Sequence, residues 1–252
     1  MSYGANLESD PRLRAIAEDR VHGAGWLARR ALGVLASSPP ADWPALVARI
    51  ERLRPEMPAL AAAAREALTA GNVRAVLRHA DAERRHVAAE AADRLRGREA
   101  VATISNSSLV ARALVLLRPP LVEVVVHGGG DPGVPAKSPL WGADFTGWDE
   151  GHLLLAELAA AGVPARGVTR PTVPVAVVGC DAVFADGGFV NRRGTARLVA
   201  ELPEVLVLAE RWKRVGGPTP AAWPAPTCSR SCGRARTSGS SVSRPRGGRR
   251  RR

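Results

Sequence analysis

Residues 177–202, VVGCDAVFADGGFVNRRGTARLVAEL, set an acid, a Gly-Gly pair and an Asn-Arg-Arg-Gly-Thr turn between two apolar runs. The run that leads in, VPVAVVG at 173–179, is valine-rich and uncharged, the pattern of a strand buried on both faces. The run that follows, GTARLVAEL at 194–202, has helical spacing. A buried strand followed by a helix is half of a βαβ unit, and open α/β sheets place ligands where such strands end. Asp181 stands at that end. Asn191, Arg192 and Thr195 stand at the start of the helix, where free backbone amides favour anions. A solvated hairpin loop, with Gly187 and Gly188 serving only the turn, is the competing reading of the same residues.

The alternation extends to both sides. AVATISN (100–106), LVEVVVH (121–127), VPARGV (163–168) and EVLVLAE (204–210) read as strands, the third weakly. SLVARALVLL (108–117) and EGHLLLAELAAAG (150–162) read as helices between them. Such alternation predicts a parallel sheet covered on both faces. The 128–148 stretch, GGGDPGVPAKSPLWGADFTGW, is a long loop, which in a compact domain is functional or poorly ordered. At the junction of the first strand and helix lie Ser105, Asn106, Ser107 and Ser108. Hydroxyls beside free helix amides suit a phosphate, and the same residues are also good N-caps.

Residues 9–98 read as helical throughout. PRLRAIAEDRVHGAGWLARRALGVLAS (11–37) places Leu13, Ile16, Val21, Leu27, Leu32 and Leu35 near helical spacing, interrupted by His22, Gly23 and Ala24. Glycines inside a helix cost about 1 kcal/mol each relative to alanine. Either close approach of a ligand or backbone repays that cost, or two helices simply break there. SSPP ends this segment, Asp42 is the expected N-cap of DWPALVARIERLRP, and Gly71 and Gly97 close the two helices that follow. The expected fold is therefore α/β. A helical N-terminal domain spans 1–98, a Rossmann-like parallel-sheet domain spans 99–215, and 216–252 form a Pro/Gly/Ser/Arg-rich disordered tail.

Charge and cysteine content narrow the function classes. The net charge of +12 is concentrated in residues 228–252, which hold nine arginines and no acid, so the remainder carries about +3. The tail alone predicts salt-dependent, non-specific nucleic-acid contact. No apolar run is long enough for a membrane span and the N-terminus lacks a signal-peptide pattern, so a cytoplasmic protein is expected. Three cysteines, two of them in the tail, imply no disulfide framework, and no ligand spacing predicts a metal. The absence of G-x-S-x-G removes the nucleophile elbow of α/β-hydrolases.

Four motifs together carry a family resemblance: DRVHGAGWLARRAL, TISNSSLVARAL, EGHLLLAELAAAGVP and GCDAVFADGGFVNRRGT, followed by LVLAERWKR. In that order the chain resembles the α, β and δ subunits of translation initiation factor 2B, over roughly residues 10–215. Their superfamily includes methylthioribose-1-phosphate isomerase and ribose-1,5-bisphosphate isomerase. The resemblance implies a sugar-phosphate pocket between a helical domain and a Rossmann-like domain, with dimers or related subunits as partners and no cofactor. In the isomerases a cysteine and an aspartate interconvert aldose and ketose. The aspartate matches Asp181, but the cysteine position matches Ser105, and a hydroxyl is a far weaker acid than a thiol. Asn191 matches the family asparagine, and Arg192 replaces a usual lysine. Arg54, in LRP at 53–55, stands where the family has an Arg-Pro pair. An Arg-Pro after the second strand and the family's C-terminal Asn-Pro segment are both missing. Two readings follow from the resemblance. One is a regulatory or weakly catalytic protein that binds a phosphorylated sugar or nucleotide. The other is an isomerase in which Asp181 and Ser105 act, while His22, Gly23, Ala24, Arg54, Asn106, Ser107, Ser108, Asn191, Arg192 and Thr195 hold the ligand.

Overall fold

The structure is a computed structural model that describes residues 10–19, 22–126, 136–137, 146–147, 150–191, 194–217 and 231–234. Five helices come first: α1 (Pro11–Glu18), α2 (Ala24–Ala36), α3 (Trp43–Leu53), α4 (Pro58–Ala70) and α5 (Val73–Arg94). They alternate thereafter with strands: β1 (Ala100–Ile104), α6 (Ser108–Leu117), β2 (Leu121–Val125), α7 (Glu150–Ala160), β5 (Ala165–Val168) and β6 (Val175–Gly179). Two-residue strands β3 (Ala136–Lys137) and β4 (Thr146–Gly147) pair within the long loop between β2 and α7. The last elements are β7 (Ala182–Phe184), β8 (Gly188–Asn191), α8 (Thr195–Glu201), β9 (Glu204–Leu208), β10 (Arg214–Val215) and β11 (Ser231–Arg234).

The N-terminal helices form because their apolar residues recur on one face, and that face builds one core. Leu13, Ile16, Leu27, Leu32, Leu35, Leu46, Ile50 and Leu60 are buried together, with alanines of α2 and α4 letting the backbones approach. Helix α1 ends at Glu18 and α2 begins at Ala24, so the 11–37 segment is two helices rather than one. Asp10 caps α1 and Asn72 caps α5 through its side chain, accepting from Ala75 N at 3.0 Å. Asp42 makes no capping bond. It ends a 3-10 turn (Pro40–Asp42) with helical backbone angles, so its carboxylate cannot reach the first amides of α3.

The main sheet is parallel, with strand order β5-β2-β1-β6-β9. The chain runs outward from β1 through β2 to β5, then returns to the other side of β1 for β6 and β9. The switch point of this doubly wound sheet therefore lies between β1 and β6, at their C-terminal ends. One face packs against α6, α7 and the second half of α5, through Ala88, Ala91 and Leu95. Helix α5 is thus shared, its first half in the helical core and its second half covering the sheet. The opposite face is covered by Phe189 and Leu198 from β8 and α8.

The polar stretch opened above is a β-hairpin. β7 and β8 pair antiparallel, Gly187 takes φ 80°, and Gly188 N donates to Asp186 Oδ1 at 3.1 Å. Ala182, Phe189 and Val190 are nonetheless fully buried, so the hairpin is a structural layer rather than a solvated loop. The tail was expected to lack structure, but its residues Ser231–Arg234 pair antiparallel with β8. The rest of the tail and most of the 128–148 loop lie outside the described residues.

Candidate functional site

Where β1 ends, the chain must turn sharply into α6. Ser105 makes that turn in the left-handed region, φ 68°, which non-glycine residues rarely occupy. The turn carries the Ser105 hydroxyl to Glu150 Oε2 at the start of α7, to which it donates a short hydrogen bond. Ser107 then caps α6, accepting weakly from Val110 N at 3.5 Å. The end of β6 lies directly beneath: a Cβ on Gly179 would sit 2.6 Å from Ser107 Oγ and 2.9 Å from its Cβ. Glycine is required there because strand end and helix start nearly touch. Cys180 and Asp181 follow, both buried, with Asp181 N donating to Val190 O of the hairpin at 2.7 Å.

Facing this switch point is the start of α2. Gly23 is its N-cap and offers no side chain, so the amides of Ala24 and Gly25 have no side-chain cap, while the Trp26 amide already donates to Gly23 O at 3.1 Å. The starts of α2 and α6 open into one cavity of about 280 Å³. Its walls are His22, Gly23 and Ala24 from the N-terminal helices and Ser105, Asn106, Ser107, Ser108, Asp181 and Asn191 from the sheet and its connections. Nine of the twelve residues expected from sequence therefore come together. Thr195 lies behind the wall, buried, with its hydroxyl 3.2 Å from Asn191 Nδ2, which it holds in place. Arg192 lies outside the described residues.

Arg54 is placed elsewhere. It is buried, forms a close ion pair with Glu56, and donates from Nη1 to Asp19 O at 2.6 Å. Its guanidinium holds the C-terminal end of α1 and does not line the cavity. The cations that do line it are Arg84 of α5 and Lys213 of the segment after β9. Arg84 Nη2 donates to Ser108 Oγ at 2.8 Å, and its Nε lies 3.3 Å from the buried Glu210 carboxylate. Burial lowers the Arg84 pKa, and the Glu210 charge opposes that shift. Glu210 also meets Arg29 of α2 at 3.2 Å and lies 4.0 Å from Lys213 Nζ. The neighbouring Arg211 and Trp212 Nε1 both donate to Glu66 of α4, tying the segment after β9 to the N-terminal helices. The LVLAERWKR segment carried a signal for Glu210 and Lys213. Arg84 had none, since it sits in a helix crowded with charges.

Glu157 of α7 lines the cavity, and burial pushes its carboxyl up; Glu150, two turns earlier on the same helix and outside the lining, accepts the Ser105 hydrogen bond. The Cys180 thiol cannot replace the thiol missing at Ser105. Burial raises it to about 12, and Sγ contacts Leu208 O at 3.6 Å. Among the described residues no group of three or more His, Cys, Asp or Glu could hold a metal ion, and no helix is long and apolar enough to cross a membrane.

No family model and no curated protein matches the chain. Solved structures do. The chain is similar to translation initiation factor eIF-2B of Pyrococcus horikoshii OT3, with a TM-score of 0.62 and 21% identity over 81% of this chain and 78% of that one. It is also similar to the tetrameric eIF2B-beta2-delta2 complex from C. thermophilum (TM-score 0.60, 19% identity, 87% and 82%). The eIF2B delta subunit of Chaetomium thermophilum gives 0.57 and 18% over 81% and 90%. The chain has the fold of these subunits.

Proposed function

We propose that the chain binds a phosphorylated sugar or a nucleotide in the interdomain cavity and acts as a regulatory protein of the initiation factor 2B subunit type. The observation that carries this reading is the convergence of two helix starts, α2 and α6, on one cavity that also holds Arg84 and Lys213. Free amides and aligned peptide dipoles at two helix ends suit a phosphoryl group. Asp181, Asn191 and Glu157 supply acceptors and donors for the hydroxyls of a sugar. A binding role is favoured over catalysis because Ser105 is a hydroxyl tied to Glu150. A thermal-shift screen with ribose 5-phosphate, ribose 1,5-bisphosphate and nucleoside monophosphates tests the pocket. Stabilisation grows with ligand concentration if one of them binds the native state, reaching about 2.7 kcal/mol at a hundredfold excess over Kd. No stabilisation by any of them refutes the reading.

A second reading, aldose–ketose isomerase, is favoured by the buried Asp181 beside Ser105 in the same cavity. Turnover of ribose 1,5-bisphosphate or methylthioribose 1-phosphate, lost in Asp181→Asn, would establish it. Ser105→Cys would restore the thiol and raise any such turnover. Association with a second copy or a related subunit in the cytoplasm belongs to the first reading. It is supported by likeness to subunits of a tetrameric complex, and light scattering on the purified chain tests it. Non-specific nucleic-acid contact by the arginine tail would show as binding that falls steeply with salt.

A further inference from the structure

We infer that the outer face of α2 and α5 is a docking surface for the phosphate backbone of a double-helical nucleic acid, separate from the cavity. On α5, Arg74, Arg78, Asp81 and Arg85 stand four, three and four residues apart, which puts all of them on one stripe of the helix. The arginines of the stripe are exposed and form no ion pair among the described residues. Ala82 and Ala89 beside them are exposed and small, so no bulky neighbour screens the stripe. Asp81 is its only acid, and Arg29 of α2 already holds that carboxylate at 2.9 Å. The Arg29–Asp81 pair joins the stripe to a groove of about 560 Å³ along α2, whose lining includes Arg12, Arg29, Arg30 and Ser37 and no acid. Arg12 reaches the Ser37 hydroxyl at 2.7 Å while Asp10 holds its other end at 2.7 Å.

Positive charge alone suits any polyanion, and the rest of the face selects among them. Protein interfaces centre on an apolar patch. Among the described residues the exposed large hydrophobics are Trp26, Leu68 and Leu116, and of these Trp26 alone lines the groove. The His22 ring stacks on it from four residues before, with centroids 3.7 Å apart, and the Arg30 guanidinium lies over it from four residues after. No ring face is left for an apolar partner, or for the unpaired bases that single-stranded nucleic acid stacks on aromatic platforms. A double helix needs no such platform. Arg74 to Arg85 spans about 16 Å of helix axis, along which a duplex presents about nine phosphates. Guanidinium forks match phosphate oxygens in pairs, and a polar, cationic face without an apolar centre is typical of nucleic-acid interfaces. Both halves of α5 are packed into cores, so the helix lies against a duplex rather than entering its groove. The contacts therefore go to phosphates, and neither base nor sugar is read.

The arginines of the tail would mask this surface, so the test uses the full chain with Arg244, Arg246, Arg249, Arg250, Arg251 and Arg252 changed to serine. Fluorescence anisotropy follows binding of mixed-sequence duplexes of about 20 base pairs, RNA in one arm and DNA in the other, from about 50 to about 200 mM salt. The two duplexes should bind within about threefold of each other, since only phosphates are contacted. In this chain, Arg74→Gln/Arg78→Gln/Arg85→Gln should weaken binding by about tenfold or more at low salt and reduce the slope of log affinity against log salt by about 3. Its melting temperature should stay unchanged, because the substituted side chains are exposed. The charge-matched control, Arg52→Gln/Arg118→Gln/Arg214→Gln, removes exposed arginines from α3, the end of α6 and β10, and should weaken binding by less than about threefold. Equal losses in the two triple variants would mean that net charge and not this face binds, which overturns the inference. Polyglutamate bound as tightly as a duplex would assign the face to an acidic protein and overturn it as well. So would a preference of about tenfold for either duplex, or no duplex binding at about 50 mM salt. The cavity is tested separately by the sugar-phosphate screen, so the failure of one reading leaves the other standing.

Discussion

Gly179→Ala is the substitution that most directly probes how the cavity floor is built. The added methyl would sit 2.6 Å from Ser107 Oγ and 2.9 Å from Ser107 Cβ. The hydroxyl can rotate away, but the Cβ is fixed by the backbone of the residue that caps α6. Relief therefore requires β6 and the start of α6 to separate by several tenths of an ångström. Overpacking of this kind costs about 1–3 kcal/mol. Replacing glycine inside a strand returns about 0.5–1 kcal/mol of that, leaving a net loss of up to about 2.5 kcal/mol. In a chain of this size the melting temperature should fall by up to about 10 °C. Gly33→Ala is the matched control. Gly33 lies inside α2 with nothing within 4 Å of where its Cβ would be. That variant should gain about 0.5–1 kcal/mol and melt about 1–4 °C higher. Calorimetric melting of both, with urea titrations to confirm unchanged m-values, makes the comparison. If Gly179→Ala melts at or above the wild type while Gly33→Ala rises as expected, the strand–helix contact does not explain the glycine.

Two further substitutions test the ionic links. Glu210→Gln leaves Arg29 and Arg84 without the buried carboxylate they share, so urea denaturation at neutral pH should show a loss of about 3 kcal/mol, and a loss under 1 kcal/mol would contradict the proposed clasp. Glu123, fully buried in β2, is pushed up by burial, but hydrogen bonds from Arg166 and Thr172 outweigh that and hold its carboxyl below its ordinary 4.5. A depressed folded pKa means that its stabilisation is complete above the unfolded value and is lost as pH falls through the folded one. Wild-type stability should therefore drop as pH is lowered below about 4.5, and Glu123→Gln should be less stable at neutral pH with a flatter acid limb; parallel acid limbs would refute it.

What the sequence determined by itself was local and periodic. Apolar spacing near 3.6 placed the N-terminal helices while leaving open whether 11–37 was one helix or two, valine-rich runs placed most of the parallel strands, and Gly71 and Gly97 marked helix ends that the structure keeps, both with positive φ. The strand-to-helix junctions at Ser105–Ser108 and at Asp181 were legible too, because a doubly wound sheet puts its strand ends at one edge. The tertiary structure decided what those junctions meet. Asp42 read as a cap, yet its backbone angles depend on the proline-led 3-10 turn it closes. The Gly-Gly turn read as either loop or site, and it became a buried hairpin only because the sheet offered Phe189 a face to cover. Arg54 could be placed near a phosphate by analogy alone, whereas packing turned it toward Glu56 and Asp19. Arg29 and Glu210 are 181 residues apart, and neither has a neighbour in sequence that announces the other. Local propensities act over a few residues, while a charge buried between domains is chosen by whatever the folded core brings within hydrogen-bond reach.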